Sequence, residues 1–566
     1  MIGRQARPEL YNLNAVKPPP LVSDELRLGV SERVVASGEV IEPLNEGELQ
    51  IVVKKLKRSE VEAVAISLLF SFLHPEHEER IAASLASLDV PLSISSRILP
   101  EYREYERTST VVINAYLQPL MGRYLKRLSE TAGEKSARLN LRVMQSSGGS
   151  ISADIAAMEP VRTILSGPSG GVVGALRAAR AAGIQNVITF DMGGTSTDVA
   201  LCDSGAIRTT NEATVAGLPV AVSVMDIHTV GAGGGSIARV DEGGSLRVGP
   251  ESAGADPGPA CYGRSLLPTV TDAHVVLGHF GGVGLLGGEF KLDEQRAREA
   301  MTNLANDLSR VSGKRCSVTT AAEGVLSVAN TNMERALRHI SVERGHDPRQ
   351  FALLPFGGAG GLHAVDLARA LRIPTVIVPT APGALSAVGV LVADVIKDHS
   401  RTVMFTYGSK ETARLAKVFA ELEREATALL RDEGFPRSKQ RHERSLAMRY
   451  RGQSFELEVR DTSGDLAAAF HRAHRERYGY AQEQSEIEIV SARLRSFGLV
   501  EKLTQKKIAS GKSSSHGNVY RRDELKAGAK LKTPCIVIEY SATTLIDADS
   551  KARIDSFGNL LIEILR

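Results

Sequence analysis

The stretch Asn186 to Cys202, NVITFDMGGTSTDVALC, decides the reading of this chain. An apolar, β-branched run ends at Asp191. Gly193 and Gly194 follow, then the hydroxyl residues Thr195, Ser196 and Thr197, then Asp198 and a second apolar run. Two strand patterns joined by paired glycines predict a tight hairpin whose backbone N–H groups no side chain obstructs. Such a loop can grip a phosphate, and carboxylates on either side of it are the groups that hold Mg²⁺ or orient an attacking water. The plain alternative is a hairpin with a polar tip and no ligand. The coincidence of glycines, hydroxyls and both acids at one strand end favours the phosphate site.

Working outward, Phe356 to Ala364 reads FGGAGGLHA and follows a strand-like run, Phe351 to Pro355. Gly357, Gly358, Gly360 and Gly361 leave bare backbone on which a ring or a phosphate can lie, and the helix that follows favours an anion at its start. Close helix–strand packing explains the same glycines equally well. GAGGGS (231–236), with Gly233 and Gly234, is either an anion nest near the phosphates or a packing turn. For SGPSGGVVG (166–174), close packing of a helix is the better explanation. Asp272, His274 and His279 invite a metal reading, but no cysteine spacing supports it, so satisfied polar side chains and no structural zinc are expected. Gly511-Lys512-Ser513 lacks both the first glycine and the preceding strand of a P-loop, and is set aside.

The chain has 566 residues, enough for several domains. Its 69 basic and 66 acidic residues leave a net charge of +3, too slight for a polyanion binder, so no nucleic-acid partner is expected. With 43% hydrophobic residues it is no disordered chain. Four cysteines match neither a zinc nor a disulfide spacing, which points to a reducing, cytoplasmic setting. The uncharged run Ile373 to Ala393 is broken by Pro374, Pro379 and Pro382 and reads as strand, turn and helix start, so no membrane span is expected.

The first hundred residues mix helix-period stretches with the strand-like Val61 to Leu69, an α/β pattern. Helices are predicted at Thr108 to Leu128, Ala321 to Arg344 and Glu411 to Glu433. Strand alternation then appears at Leu446 to Tyr450, Phe455 to Val459, Ile487 to Leu494 and Cys535 to Tyr540, with a polar linker from Gln505 to Asn518. The domains expected are 1–130, 131–405 and a separate strand-rich domain over 411–566.

Taken together, DMGGTSTDVAL, HTVGAGGGSIA (228–238), SAGADPGPACYGR (252–264), PTVTDAHVVLG (268–278) and FGGAGGLHA resemble the large subunit of the hydantoinase/5-oxoprolinase family. That family also includes acetone and acetophenone carboxylases and caprolactamase. RPELYNLNAVKPPPL (7–21) and EYSATTLIDADSKARIDSFGNLLI (539–562) extend the resemblance over nearly the whole chain. It implies an α/β fold of the actin-like ATPase class, with ATP and Mg²⁺ in a cleft between two lobes. By resemblance, Asp191 and Asp198 hold Mg²⁺ and align the γ-phosphate. Gly193, Gly194, Thr195, Ser196 and Thr197 contact phosphate oxygens, Gly233 and Gly234 lie close by, and Gly357, Gly358, Gly360 and Gly361 sit against the nucleoside. The family's first phosphate hairpin would precede Met1, so the chain looks truncated at its N-terminus and the 1–130 domain is a remainder.

The activity this resemblance implies is ATP-dependent opening of a cyclic amide, a hydantoin, 5-oxoproline or similar lactam, through phosphorylation of its carbonyl oxygen. An ATP-dependent carboxylase subunit is the alternative enzyme. An assembly scaffold that does not turn ATP over is the non-enzyme alternative, motivated by the absent hairpin. A hydantoinase B-type partner subunit in a hetero-oligomer is expected.

Overall fold

A computed structural model of the chain describes residues 11–14, 16, 19–135, 141–408, 412–461, 464–504, 506–510 and 517–565. The tripeptide 511–513 and half of the linker 505–518 lie outside them. The chain forms two compact units: 1–165 with 210–224 and 394–501, and 166–209 with 225–393 and 502–566. The stretch 411–566, expected as one domain, is therefore divided between them. The reason is pairing: Leu560–Ile564 hydrogen-bonds to Thr375–Val378 and carries Ser550–Ile554 and Lys530–Leu531 into the sheet of the second unit.

In the first unit, a six-stranded sheet runs in the order Leu457–Arg460, Gln440–Tyr450, Ile487–Gly498, Val395–Thr406, Ser150–Ser152, Arg142–Met144. Its central strand alternates buried and half-buried residues, and the buried face packs against helices Thr412–Asp432 and Leu466–Tyr478 through Phe419, Leu422 and Phe470. Near the N-terminus, Val64–Ile66 and Leu92–Ile94 pair in parallel across the helix Glu76–Leu85, the α/β alternation read from the sequence.

The second unit holds the strands that position the site. Its nine-stranded sheet runs Ile227–Val230, Thr197–Asp203, Val187–Met192, Ala352–Phe356, Thr375–Val378, Leu560–Ile564, Ser550–Ile554, Lys530–Leu531, with Ala206–Ile207 paired to the second strand. Val187–Met192, Ala352–Phe356 and Thr375–Val378 are parallel neighbours. They are buried almost throughout, as expected for continuous apolar runs covered on both faces. Helix Ser166–Ala181 lies against Leu385–Val392 on a glycine face: a Cβ at Gly174 would stand 2.5 Å from Leu385 O, and one at Gly170 2.9 Å from Ser386 O. Gly170 and Gly174 thus serve packing. Ile373 to Ala393 is the strand, turn and helix the prolines predicted. Among the described residues no helix is long and apolar enough to cross a membrane, and Cys202, Cys261, Cys316 and Cys535 are free.

Candidate active site: a phosphate hairpin and a glycine turn

The predicted hairpin is present. Val187–Met192 and Thr197–Asp203 pair antiparallel, with Asp191 directly opposite Asp198 and Met192 opposite Thr197. The Gly193 N–H donates to Ser196 O at 3.1 Å and closes the turn. Gly193, Gly194 and Thr195 are exposed, and a Cβ on Gly194 would meet nothing within 4 Å. Successive backbone N–H groups at such an open tip form an anion-binding concavity.

What holds the tip is a second turn beneath it. Gly234 N–H donates to Gly193 O at 3.0 Å and Gly235 N–H to Gly194 O at 2.6 Å, so the tip's carbonyls point inward. A Cβ on Gly233 would lie 2.7 Å from backbone atoms of both Gly194 and Thr195, closer than any side chain allows. The Gly233 N–H is taken by Ser236 Oγ at 2.8 Å. Gly233 and Gly234 therefore support the hairpin from below, which is the packing turn of the two readings open for them. Thr197 likewise turns away from the tip: it is fully buried and its hydroxyl donates to Ala232 O.

The two carboxylates sit in unfavourable surroundings. Burial and then the facing charge of Asp198 push the Asp191 carboxyl up to about 7. Burial also raises Asp198, against the hydrogen bond that Thr229 Oγ1–H donates to it at 2.5 Å. Opposed carboxylates of this kind are stabilised by a bound cation.

Parallel pairing of Phe356 with Asp191 brings the FGGAGG segment beside the hairpin. Ala359 N–H donates to Met192 O at 3.2 Å. Gly357 has φ +77°, and a Cβ there would be 2.5 Å from both Asp191 Oδ1 and Met192 O, so only glycine fits. Gly357 and Gly358 remain accessible. Gly360 and Gly361, expected against a nucleoside, are buried: a Cβ on Gly361 would stand 2.6 Å from Thr543 O, and one on Gly360 3.4 Å from Phe190 O. They let the helix Gly360–Ala370 pack onto the protein.

A cavity of about 680 Å³ is lined by Thr380, Arg522, Glu539, Tyr540 and Ile554 among others; Ser541, which follows Tyr540, has its O 3.6 Å from where a Cβ on Gly358 would stand. Arg522 Nη2 donates to Val378 O at 2.9 Å and Gly558 O at 2.8 Å, while its Nη1 is buried without a partner among the described residues. Glu539 accepts from Ala381 N–H at 3.2 Å, and burial pushes its carboxyl up to about 7 in spite of Arg522. Sequence reasoning missed both residues. Glu539 opens the EYSATTLI segment, but nothing in its spacing announces a pocket.

Asp272 is not a metal ligand in waiting. Its carboxylate accepts the N–H groups of Ala260 (3.1 Å), Cys261 (2.8 Å) and Thr269 (3.0 Å) in a capping box. Among the described residues no group of three or more His, Cys, Asp or Glu side chains is placed to hold a metal ion.

The α/β unit thus carries a glycine hairpin between opposed acids, the arrangement read from the sequence. The hydantoinase/oxoprolinase family model matches residues 107–399, and that of its N-terminal region matches residues 1–88. The chain belongs to this family. It is 33% identical to caprolactamase subunit alpha of Pseudomonas jessenii over 96% of this chain and 83% of that one. The crystal structure of the ATP-dependent caprolactamase from that organism superposes with a TM-score of 0.88, at 32% identity, covering 98% of this chain and 84% of that one. Nucleotide-free acetone carboxylase gives a TM-score of 0.76 at 26% identity, covering 97% and 83%. These matches show the α/β ATPase-like fold. The chain is also 31% identical to 5-oxoprolinase 1 of Arabidopsis thaliana over its full length, spanning 48% of that protein.

Proposed function

We propose that this chain is the ATP-using subunit of a cyclic-amide hydrolase acting on a hydantoin, 5-oxoproline or similar lactam. The observation that carries the reading is the exposed Gly194–Thr195 backbone between opposed, partly buried carboxylates, in the same unit as a cavity of base-accommodating size. The triphosphate lies over the hairpin, held by the N–H groups of Gly194 and Thr195 and the hydroxyls of Thr195 and Ser196. The base enters the cavity, where Glu539 accepts from and Arg522 donates to its polar edge.

Mg²⁺ suits the facing acids, whose raised carboxyl values a cation would reverse. Among the described residues no third His, Cys, Asp or Glu joins Asp191 and Asp198, so it would draw its other ligands from phosphate oxygens and water. In the reaction, the amide oxygen attacks the γ-phosphorus and ADP leaves. Water adds to the activated ring carbon, the C–N bond breaks to leave an acyl phosphate, and a second water releases phosphate. The hairpin's contribution is charge stabilisation at the transferring phosphoryl group, where each donor is worth about 3 kcal/mol.

The relatives named as subunits support a hetero-oligomer with a hydantoinase B-type partner that completes the substrate site. The cytoplasm is the proposed compartment, supported by ATP use and the free cysteines. The likeness to acetone carboxylase keeps carboxylation as the competing reading. The test is ADP release by the chain with its partner subunit, given hydantoin, 5-oxoproline, caprolactam or a ketone, with and without bicarbonate. Lactam-dependent turnover that ignores bicarbonate supports the hydrolase. Turnover that requires ketone and bicarbonate together overturns it.

A further inference from the structure

The two facing acids are not equivalent. Thr229 Oγ1–H donates to Asp198 Oδ1 at 2.5 Å. Among the described residues no group donates to Asp198 Oδ2 or to either oxygen of Asp191. Burial raises both carboxyls, and Asp198 alone has a hydrogen bond that opposes it.

The sheet register sets the three side chains in one row. Asp191 stands directly opposite Asp198 on one side, and Thr229 stands directly opposite Asp198 on the other. Residues directly opposite in antiparallel strands share a face, so all three project from the same face of three neighbouring strands.

The strand that carries Thr229, Ile227–Val230, is anchored along its length. On its other face the His228 ring packs against His339, 4.5 Å between centroids. Asp226, just before the strand, is paired with Arg344, and just past its end Ala232 O accepts the buried Thr197 hydroxyl. A branched side chain on such a backbone has few rotamers, so the donor is fixed in place. The acceptor is not. The χ2 torsion of an aspartate is broad, and rotamer preference leaves the plane of its two oxygens undefined. The Thr229 hydroxyl defines that plane by taking one oxygen of Asp198 and leaving the other open on the face shared with Asp191.

We propose that Thr229 is a positioning residue for the cation that accompanies ATP: by holding Asp198 Oδ1 it sets the plane of the carboxylate and presents Oδ2 to the cation or to water bound on it. The inference rests on the nucleotide reading. Without the hydroxyl, Asp198 turns about χ2 and spreads its charge over orientations that do not meet a cation on the triphosphate. Partners that orient a ligating carboxylate in this way are typically worth about tenfold or more in metal affinity. Thr229 is exposed, on the edge strand of its sheet, so the core does not depend on it. Thr229→Val keeps the shape and the strand preference of the side chain and removes only the donor.

The test is calorimetry on the full chain at pH 8, with wild type, Thr229→Val and Thr229→Ser, using ATP in excess Mg²⁺ and ATP in EDTA. Thr229→Val is expected to raise the Kd for MgATP about tenfold and to leave that for metal-free ATP unchanged. Thr229→Ser, which restores the donor, should stay within about twofold of wild type in both. An unchanged MgATP Kd in Thr229→Val, or a Ser variant as impaired as the Val variant, overturns the positioning role. Equal weakening of ATP with and without the metal overturns it too, since the residue would then shape the nucleotide site and not the cation's. Where metal-free ATP binds too weakly to measure, Asp198→Asn takes its place. With that acid gone, adding Thr229→Val should change the MgATP Kd less than about twofold, and a further tenfold rise overturns the proposal. If Thr229→Val does not fold, Thr229→Ala replaces it with the same expectations. All these failures leave the nucleotide reading intact, whereas no MgATP binding by the wild-type chain overturns both.

Discussion

Gly193-Gly194 and Gly233-Gly234 look alike in sequence and do opposite work. The first pair is exposed at a strand end, with open space above it; the second is buried under the first, its N–H groups consumed by Ser236 Oγ and Gly193 O. A glycine pair becomes a candidate ligand site only where it lies open at the surface. Where it faces another backbone, the missing side chain serves close approach. The same distinction divides Gly357 and Gly358 from Gly360 and Gly361 within one short segment.

Substitution should separate the two pairs sharply. The largest effect is expected from Gly233→Ala, whose methyl would overlap the hairpin backbone at 2.7 Å. A thermal melt should show a loss on the order of 3 kcal/mol, as overpacking against immovable backbone does. A melt unchanged from wild type would mean that the two turns are not stacked. Asp191→Asn comes next and acts in the other direction. The Asp191 carboxyl is raised to about 7 in the folded chain, above its unfolded value, so ionising it costs stability as pH rises from about 4 through 7. In nucleotide-free urea melts the variant should be more stable than wild type by about 2 kcal/mol at pH 8 and equal to it near pH 4. A variant less stable at pH 8 would contradict the opposed-charge description. The smallest change in stability belongs to Gly194→Ala, within about 0.5 kcal/mol of wild type, because its methyl points into open space. Its cost should appear in ligand binding, as a weaker MgATP-induced rise in Tm. Full retention of that rise would remove the hairpin tip from the phosphate site.

The hairpin was legible because its information is local. Alternating apolar runs, a glycine turn and flanking acids lie within one short segment, and antiparallel pairing of neighbouring runs follows directly. The helix–helix packing of Gly170 and Gly174 was legible for the same kind of reason, since small residues at helical spacing permit close approach. The division of 411–566 was not. Its last strands alternate like those of any small sheet, and nothing local records that Leu560–Ile564 pairs with Thr375–Val378.

By itself the sequence determined the α/β class, the hairpin and its paired acids, and the family, because each is written in contiguous residues whose backbone geometry follows from residue type. Only the tertiary structure decided which glycines are open, that Arg522 and Glu539 meet in one cavity, and that His274 bridges His279 and His363. Direction of exposure and contact between distant residues arise when separate elements pack, and residue type alone does not encode them.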